Sequence, residues 1–247
     1  DFTSLLTETT PIESSDNSCG CLSIWLEQST TDSLTISMVT CKLESARQFL
    51  WANYQCTTPK EISLFLNIIT TQLAIKEIIC GKELIKNTNI VDLIEQFCLG
   101  NSISLSFVDS KSSGTSTTDN LSFISKFLSI SQSIGELVEG GRMINLLGPL
   151  VNLIRWLELD KYDCYSNSFS IKSYNPNSWM ILDGNSLKSL HLFPVAGAFG
   201  KYSSLFGLLN RCNTNQGSRL LAGWIRQPLV KVDEIQERLN CVEFFIN

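Results

Sequence analysis

The sequence predicts an α/β fold in which helices flank a mixed sheet, followed by an all-α segment. Three early runs of apolar residues are typical of consecutive strands, and the second alternates apolar with polar residues. From residue 58 to residue 109, runs with the helical period alternate with runs that suit strands. After residue 179 the apolar runs follow the helical period. A meander followed by alternating helices and strands gives a mixed sheet with helices packed on it.

The meander comes first along the chain. Leu34, Ile36 and Met38 alternate with Thr35 and Ser37, which is the period of a half-buried strand. The three predicted strands of the meander are Cys19–Leu26, Leu34–Thr40 and Arg47–Tyr54.

Helices and strands then alternate. Thr58 and Pro59 supply an N-cap and a proline at the first helical position, and Ile62, Phe65 and Ile69 follow at helical spacing. The later predicted elements are a strand at Ala74–Cys80, a helix at Asn87–Gly100, a strand at 102–109, a surface loop at Ser110–Asn120, helices at Leu121–Leu128 and Pro149–Leu159, and an edge strand at Phe169–Asn175.

This order of elements is that of an RNase H-like sheet, which raises the hypothesis of a metal nuclease. A two-metal nuclease needs several carboxylates that converge on one metal pair. The first predicted strand contains no carboxylate, and Asp92 and Glu95 fall on the polar side of their helix. The sequence therefore argues against active nuclease chemistry, and a magnesium-dependent nuclease stays a minor alternative.

The segment after Trp179 is predicted to be helical. Asp183 is a plausible N-cap for a helix that reaches Phe193, and Thr214 caps another that Pro228 ends. A further helix runs on to Phe245. Between the first two of these helices, a loop at 194–201 precedes a short helix whose predicted apolar face is Leu205, Leu208, Leu209 and Cys212.

Composition excludes several classes of function. Charged residues make up 17% of the chain and the net charge is −5, so the chain has no overall attraction to nucleic acid or to anionic membrane. The nine cysteines are scattered, and we interpret them as free thiols that act as small apolar residues in a reducing compartment. The single histidine, His191, excludes most histidine-based metal sites and triads. We predict no catalytic, cofactor-binding or metal-binding residue in this chain.

The stretch LNRCNTNQGSRLLAGWIRQPL, at 209–229, could be a helix–turn–helix that reads DNA or a packing element. A reading helix presents polar side chains along an exposed face. Here Leu220, Leu221, Trp224 and Ile225 fall within six positions and cover much of the helix. We therefore favour packing, with Arg219 and Arg226 on a solvated stripe or as donors of interdomain salt bridges, and with Gly217 at a close approach of a neighbouring helix. A stand-alone nucleic-acid-binding module remains the alternative.

The same region resembles the MutS family of DNA mismatch-repair proteins, most closely its second type of eukaryotic homolog. The resemblance is carried by LDGNSLKSLHLF, by the TNQGSRLLAGWIRQPL stretch and by IQERLNCVEFF. The positions that match the family pattern are Leu182, Asp183, Thr214, Gly217, Arg219, Leu220, Trp224, Pro228, Leu229, Ile235, Arg238, Leu239 and Val242. Upstream, the stretch CGCLSIWLEQSTTDSLTISMVT is similar to the start of the family's connector domain, which is RNase H-like without nuclease activity.

The resemblance implies a connector domain at 19–175 and the start of a helical lever or core domain at 179–247. Residues 1–18, polar and rich in Ser and Thr, are predicted to be a lead-in linker. The NPNS segment, Asn175–Ser178, is a candidate hinge between the two domains. Lys231 stands where relatives often have Asp, so we expect the cap of the next helix to be weak or displaced to Asp233.

The resemblance also implies a function. The parent protein would bind mispaired DNA and use ATP, with magnesium, to switch conformation. The family's Phe-x-Glu wedge and its phosphate loop do not occur in this sequence, so this chain itself would be no enzyme and would relay the switch as part of an ATPase. We expect a nuclear protein that is a piece of a longer chain. Its implied partners are another MutS homolog in a heterodimer, a MutL-type protein and mismatched duplex DNA. Trp25 or Trp51, if exposed, could form a docking surface for the MutL-type protein, but we expect both side chains in the core.

Overall fold

The computed structural model describes residues 20–28, 34–42, 47–82, 88–108, 117–129, 144–194 and 200–246. Its sheet has six strands in the order β5-β4-β1-β2-β3-β6. The strands are β1 Gly20–Gln28, β2 Leu34–Lys42, β3 Gln48–Cys56, β4 Ile75–Gly81, β5 Ser104–Val108 and β6 Ser170–Ser173. The first three pair antiparallel, whereas β4 is parallel to β1, β5 to β4 and β6 to β3. The predicted meander and mixed sheet are confirmed, with β6 at an edge.

Eight α-helices lie in the described residues: α1 Pro59–Gln72, α2 Thr88–Asn101, α3 Thr117–Ser125, α4 Ile144–Trp156, α5 Gly184–Ser189, α6 Leu205–Leu209, α7 Asn215–Arg226 and α8 Val232–Ile246. As predicted, Thr58 caps α1, where its side chain accepts a hydrogen bond from the Glu61 backbone N–H. Among the described residues, no helix has the length and apolar character needed to cross a bilayer.

Strand alternation sends side chains to two separate cores, one on each face of the sheet. On one face, Leu22 and Ile78 pack in a cluster with Phe65 of α1 and Ile94 of α2. On the other face, Val39 and its neighbours pack in a cluster with residues of α3 and α4. The sheet is therefore a middle layer with helices on both sides.

The tightest backbone approach in the sheet is between β1 and the start of β4. A Cβ at Gly20 would lie 2.6 Å from the carbonyl oxygen of Ala74, which is backbone and cannot move aside easily. Ala74 itself has a φ of 53°. Only glycine fits at residue 20 with this strand pairing.

Pro149 does not begin a helix, contrary to prediction. It lies inside α4, which begins at Ile144. The reason is packing: Leu146 and Leu147 continue the buried face formed by Leu150 and Val151. Burial of these side chains against the sheet outweighs the roughly 3 kcal/mol that an interior proline costs.

The loop and helix predicted around residue 120 have different bounds. Helix α3 begins at Thr117 and ends at Ser125, so residues 117–120 are not loop and Leu128 is not helical. Leu128 instead forms an isolated parallel bridge with Phe169. Residues 110–116 of the predicted loop lie outside the described residues.

The apolar face predicted for the short helix α6 is also wrong. Leu205, Leu208 and Leu209 are 40–50% exposed, whereas Phe206 and Gly207 are buried. The ring centre of Phe206 lies 5.7 Å from that of Phe193. Contact with Phe193 therefore explains why the Phe206 side of α6 is the buried one.

Cysteines contribute to both cores. None of those with described structure is in a disulfide, and Cys21, Cys56, Cys80 and Cys98 are buried. Burial raises the pKa of the Cys80 thiol from its ordinary 9.0 to about 12. The interpretation as small apolar residues is confirmed at these four positions, whereas Cys164, Cys212 and Cys241 are exposed.

We expect Gly20→Ala to lower the free energy of unfolding by about 1–3 kcal/mol, because the new methyl group overlaps the Ala74 carbonyl. Urea unfolding measures this change. Gly100→Ala is the matched control, since open space surrounds that position at the end of α2 and helix propensity favours alanine by about 0.5–1 kcal/mol. Equal stability of the two variants would contradict the close approach.

We expect the free energy of unfolding to fall as pH rises above 9, because unfolded thiols ionise near 9.0 while Cys80 in the fold resists ionisation up to about 12. Each such thiol contributes a fall of up to about 1.4 kcal/mol per pH unit. Cys80→Val should reduce this slope, and the exposed Cys164→Ser should leave it unchanged. Urea titrations at several pH values test this, and an unchanged slope in Cys80→Val would contradict it.

Candidate functional site

The candidate site is the joint between the sheet and the helices that follow it. We use "the joint" for Gln72, Tyr174, Trp179 and Gln227. Tyr174 is 6% exposed and follows β6, where its backbone N–H donates to the Trp51 carbonyl at 2.6 Å. Its ring stacks on Trp179, with centroids 5.1 Å apart and planes 20° apart. The stack closes one end of the core that α1 and α2 cover.

Gln72 holds Tyr174 from the α1 side of the joint. It is the last residue of α1 and is only 3% exposed. Its Oε1 accepts a 2.6 Å hydrogen bond from the Tyr174 hydroxyl, and its Nε2 donates to the Pro176 carbonyl at 3.2 Å. One buried amide therefore holds both Tyr174 and the chain that leaves it.

Gln227 reaches the same hydroxyl from the other side of the joint. It follows α7, and its Nε2 donates to the Tyr174 hydroxyl oxygen at 3.2 Å. A short backbone pairing runs beside it, in which Trp179 bridges Leu229 and the Met180 N–H donates to the Pro228 carbonyl at 2.9 Å. The helices after the joint are thus tied to the sheet by side chains and by backbone.

The Tyr174 phenol is held neutral. Burial raises its pKa above the ordinary value of 10.0, and the hydrogen bond from Gln227 opposes that rise. A neutral hydroxyl donates once and still accepts, which suits an amide oxygen on one side and an amide N–H on the other.

The predicted hinge segment forms a compact turn. Pro176–Ser178 is a single 3-10 turn, and the Asn175 side chain accepts a hydrogen bond from the Asn177 backbone N–H at 3.0 Å. The Ser178 backbone N–H donates a hydrogen bond to the Asn175 carbonyl. Gln72 holds the Pro176 carbonyl, so this turn is anchored to the end of α1.

Two of the predicted caps follow the joint. The Asp183 carboxylate accepts from the Ser186 backbone N–H at 2.7 Å and begins α5. Hydrogen bonds from the Ser186 side chain and backbone keep the pKa of that carboxyl below its ordinary value. Thr214 caps α7 by accepting from the Gly217 N–H at 3.1 Å. Both N-cap predictions are confirmed.

Gly217 was expected to meet a neighbouring helix, and this expectation is wrong. A Cβ there would lie 3.2 Å from the Cβ of Cys212 and 3.3 Å from the Thr214 hydroxyl. The crowding comes from the turn just before α7. Lys231, expected to weaken the cap of α8 or displace it to Asp233, lies just before α8 and pairs with Glu234 at 3.1 Å.

Two arginines of the helical segment lie over aromatic rings. The Arg226 guanidinium lies 4.3 Å from the centre of the Phe193 ring, and that of Arg238 lies 4.2 Å from the centre of the Trp224 ring. Arg219 and Arg226 are both half-buried, so the predicted solvated stripe is wrong. A guanidinium that stacks on a neighbouring aromatic ring contributes to packing more than to the reading of bases. These contacts support our interpretation of this region as a packing element.

Helix α8 exposes apolar side chains. Leu239, Val242 and Phe245 are 56%, 47% and 85% exposed. Next to Trp224 of α7, this helix lines an apolar groove that includes Ile235.

The structure also tests the nuclease alternative. Glu77 lies on β4, an interior strand of the sheet. Its carboxylate accepts hydrogen bonds from the Ser106 hydroxyl at 2.9 Å and from the Trp156 indole N–H at 3.0 Å. Asp92 and Glu95 are exposed on α2. Among the residues with described structure, no three His, Cys, Asp or Glu side chains converge as a metal site would require.

Trp25 and Trp51 are half-buried and lie on the sheet face that α4 covers. A Cβ at Gly148 of α4 would lie 3.0 Å from the Trp25 ring, and Trp51 packs against the core of that face. Trp51 therefore packs against the core as expected, whereas Trp25 contacts α4 without being fully buried.

We expect Tyr174→Phe to lower the free energy of unfolding by about 1–3 kcal/mol, because it leaves the buried Gln72 amide oxygen without its donor. Tyr162→Phe is the matched control, since that tyrosine is 58% exposed and should change stability by no more than about 0.5 kcal/mol. Urea unfolding compares the two, and a Tyr174→Phe variant as stable as the control would contradict the joint.

Comparison with known proteins places the helical segment in a family. Residues 185–247 match the model of MutS domain III. A 127-residue stretch is 34% identical to the DNA mismatch repair protein MSH2 of Zea mays, covering 47% of this chain and 14% of that protein. A 112-residue stretch is 39% identical to Msh2 of Dictyostelium discoideum, covering 38% of this chain and 12% of that protein.

The similarity extends to another named relative. A 97-residue stretch is 32% identical to the DNA mismatch repair protein MSH3 of Mycosarcoma maydis, covering 39% of this chain and 8% of that protein. This chain therefore spans only a small part of the curated relatives that it matches. Over the matched residues the chain is therefore similar to the MutS family of DNA mismatch-repair proteins and to its MSH2 members, with the match to MutS domain III at residues 185–247.

Proposed function

We propose that this chain relays a conformational switch between two domains of a mismatch-repair protein. The observation that carries the proposal is the joint, where Gln72 of α1 and Gln227 beyond α7 share the hydroxyl of Tyr174. Transmission of a switch requires rigid elements that meet at a specific contact. The joint supplies such a contact between the sheet and domain III.

The first of the two domains is, in this proposal, an RNase H-like connector at 19–175. The antiparallel meander with two further strands parallel to its first strand, in the order β5-β4-β1-β2-β3, supports that assignment. The second domain is the lever or core segment at 179–247, with residues 1–18 as the lead-in. The match of 185–247 to MutS domain III supports that boundary.

The activities of the whole protein follow from the family. We propose that it binds mispaired DNA and is an ATPase that uses ATP and magnesium to change conformation, in the nucleus. Matches to relatives named MSH2 and MSH3 support a second MutS homolog as heterodimer partner. A MutL-type protein is the proposed downstream partner. The cation–π contacts of Arg226 and Arg238 support a mechanical role for the helices described here.

We expect Gln227→Ala in the full-length protein to retain affinity for a mismatched duplex while speeding ATP-triggered release from it, because the variant lacks a contact that holds the helices on the sheet. A coupling free energy of about 1 kcal/mol, at the low end for such switches, corresponds to about fivefold faster release. Gln216→Ala is the matched control, because Gln216 is an exposed residue of α7, the helix that Gln227 follows. Fluorescence anisotropy of labelled duplexes before and after ATP addition measures both properties. Release at the parental rate in Gln227→Ala would contradict the relay.

A further inference from the structure

The two hydrogen bonds to the Tyr174 hydroxyl differ in length and in burial. The bond to Gln72 is 2.6 Å long and joins two buried residues, both on the sheet side of the joint. The bond from Gln227 is 3.2 Å long, is part-buried and crosses to the helices. The joint is therefore asymmetric.

Breaking each bond leaves a different number of unsatisfied groups. If Gln227 moves away, Tyr174 still donates to Gln72, and the half-buried Gln227 amide can reach water. If the Gln72 side chain moves away, its buried amide oxygen and the buried O–H of Tyr174 lose their partners at once, which is the more costly outcome. The joint thus opens more easily on the Gln227 side.

The backbone around the joint has the same asymmetry. The turn at Asn175–Ser178 closes on itself and is held by Gln72. Just after Trp179, regular secondary structure is absent until Gly184, and Met180 and Ile181 are 51% and 50% exposed. The Met180 N–H bonds to Pro228 of the helical side.

We propose that Gln227 is a releasable latch and that the hinge lies at Met180–Leu182, after the Asn175–Ser178 turn. When the helices rotate, Gln227 leaves the Tyr174 hydroxyl while Gln72 keeps Tyr174 and the turn on the sheet. This inference deepens the relay and rests on it for its biological meaning. It also moves the hinge away from the NPNS segment in which the sequence placed it.

Amide hydrogen exchange measured residue by residue on the full-length protein tests the latch without DNA or ATP. Gln227→Met keeps the side-chain volume and loses the donor, as does Gln227→Glu. Both variants should speed exchange of the Met180 amide about fivefold, the factor that matches the loss of about 1 kcal/mol of hydrogen-bond support. The Asn177 and Ser178 amides, which are bonded within the turn, should be unchanged.

Gln72→Met provides the opposite pattern, because it frees the Pro176 carbonyl and should speed exchange of the Asn177 and Ser178 amides. Gln216→Met is the control for both positions. Faster exchange in the turn on changing Gln227, or an unchanged Met180 amide in both Gln227 variants, would overturn the latch. Because exchange reports the joint alone, a positive result together with normal ATP-triggered release would refute the relay and leave the latch standing.

Discussion

The hydroxyl of Tyr174 is buried where the sheet meets the helices, and a buried hydroxyl needs partners for its donor and its acceptor sides. Gln72 and Gln227 meet those two needs. This requirement brings the end of α1, the end of β6 and the end of α7 to one point. The placement of domain III on the sheet depends on that point more than on any broad apolar interface, since most side chains of α8 remain exposed and most of those of α7 are only half-buried.

The rest of the sheet unit keeps Gln72 and Tyr174 in place. Helix α1 is fixed by its Thr58 cap and by the burial of Ile62, Phe65 and Ile69 on one face, so its last residue has a defined position. Strand β6 pairs parallel with β3, and this pairing fixes where along β3 the chain leaves the sheet at Tyr174. Core packing thus gives the joint a rigid base, and a rigid base is what the proposed relay of motion requires.

Sequence reasoning succeeded where a local pattern decides the structure. Strand alternation located β1, β2 and β3, and the caps Thr58, Asp183 and Thr214 located three helix starts. It failed where contacts distant in sequence decide. Pro149 lies inside α4 because the neighbouring leucines pack on the sheet, and the exposed leucines of α6 follow from the contact of Phe206 with Phe193. The joint was also missed, since Tyr174 and Gln72 are 102 positions apart and glutamine carries no local signal of a partner.

A double-mutant cycle between Tyr174→Phe and Gln227→Met measures the joint most directly. The free energies of unfolding of the parent, the two single variants and the double variant give the coupling between the two side chains. A hydrogen bond that ties domain III to the sheet predicts a coupling of about 0.5–1.5 kcal/mol. Additive effects, within about 0.3 kcal/mol, would show that the two residues do not interact and would contradict the account.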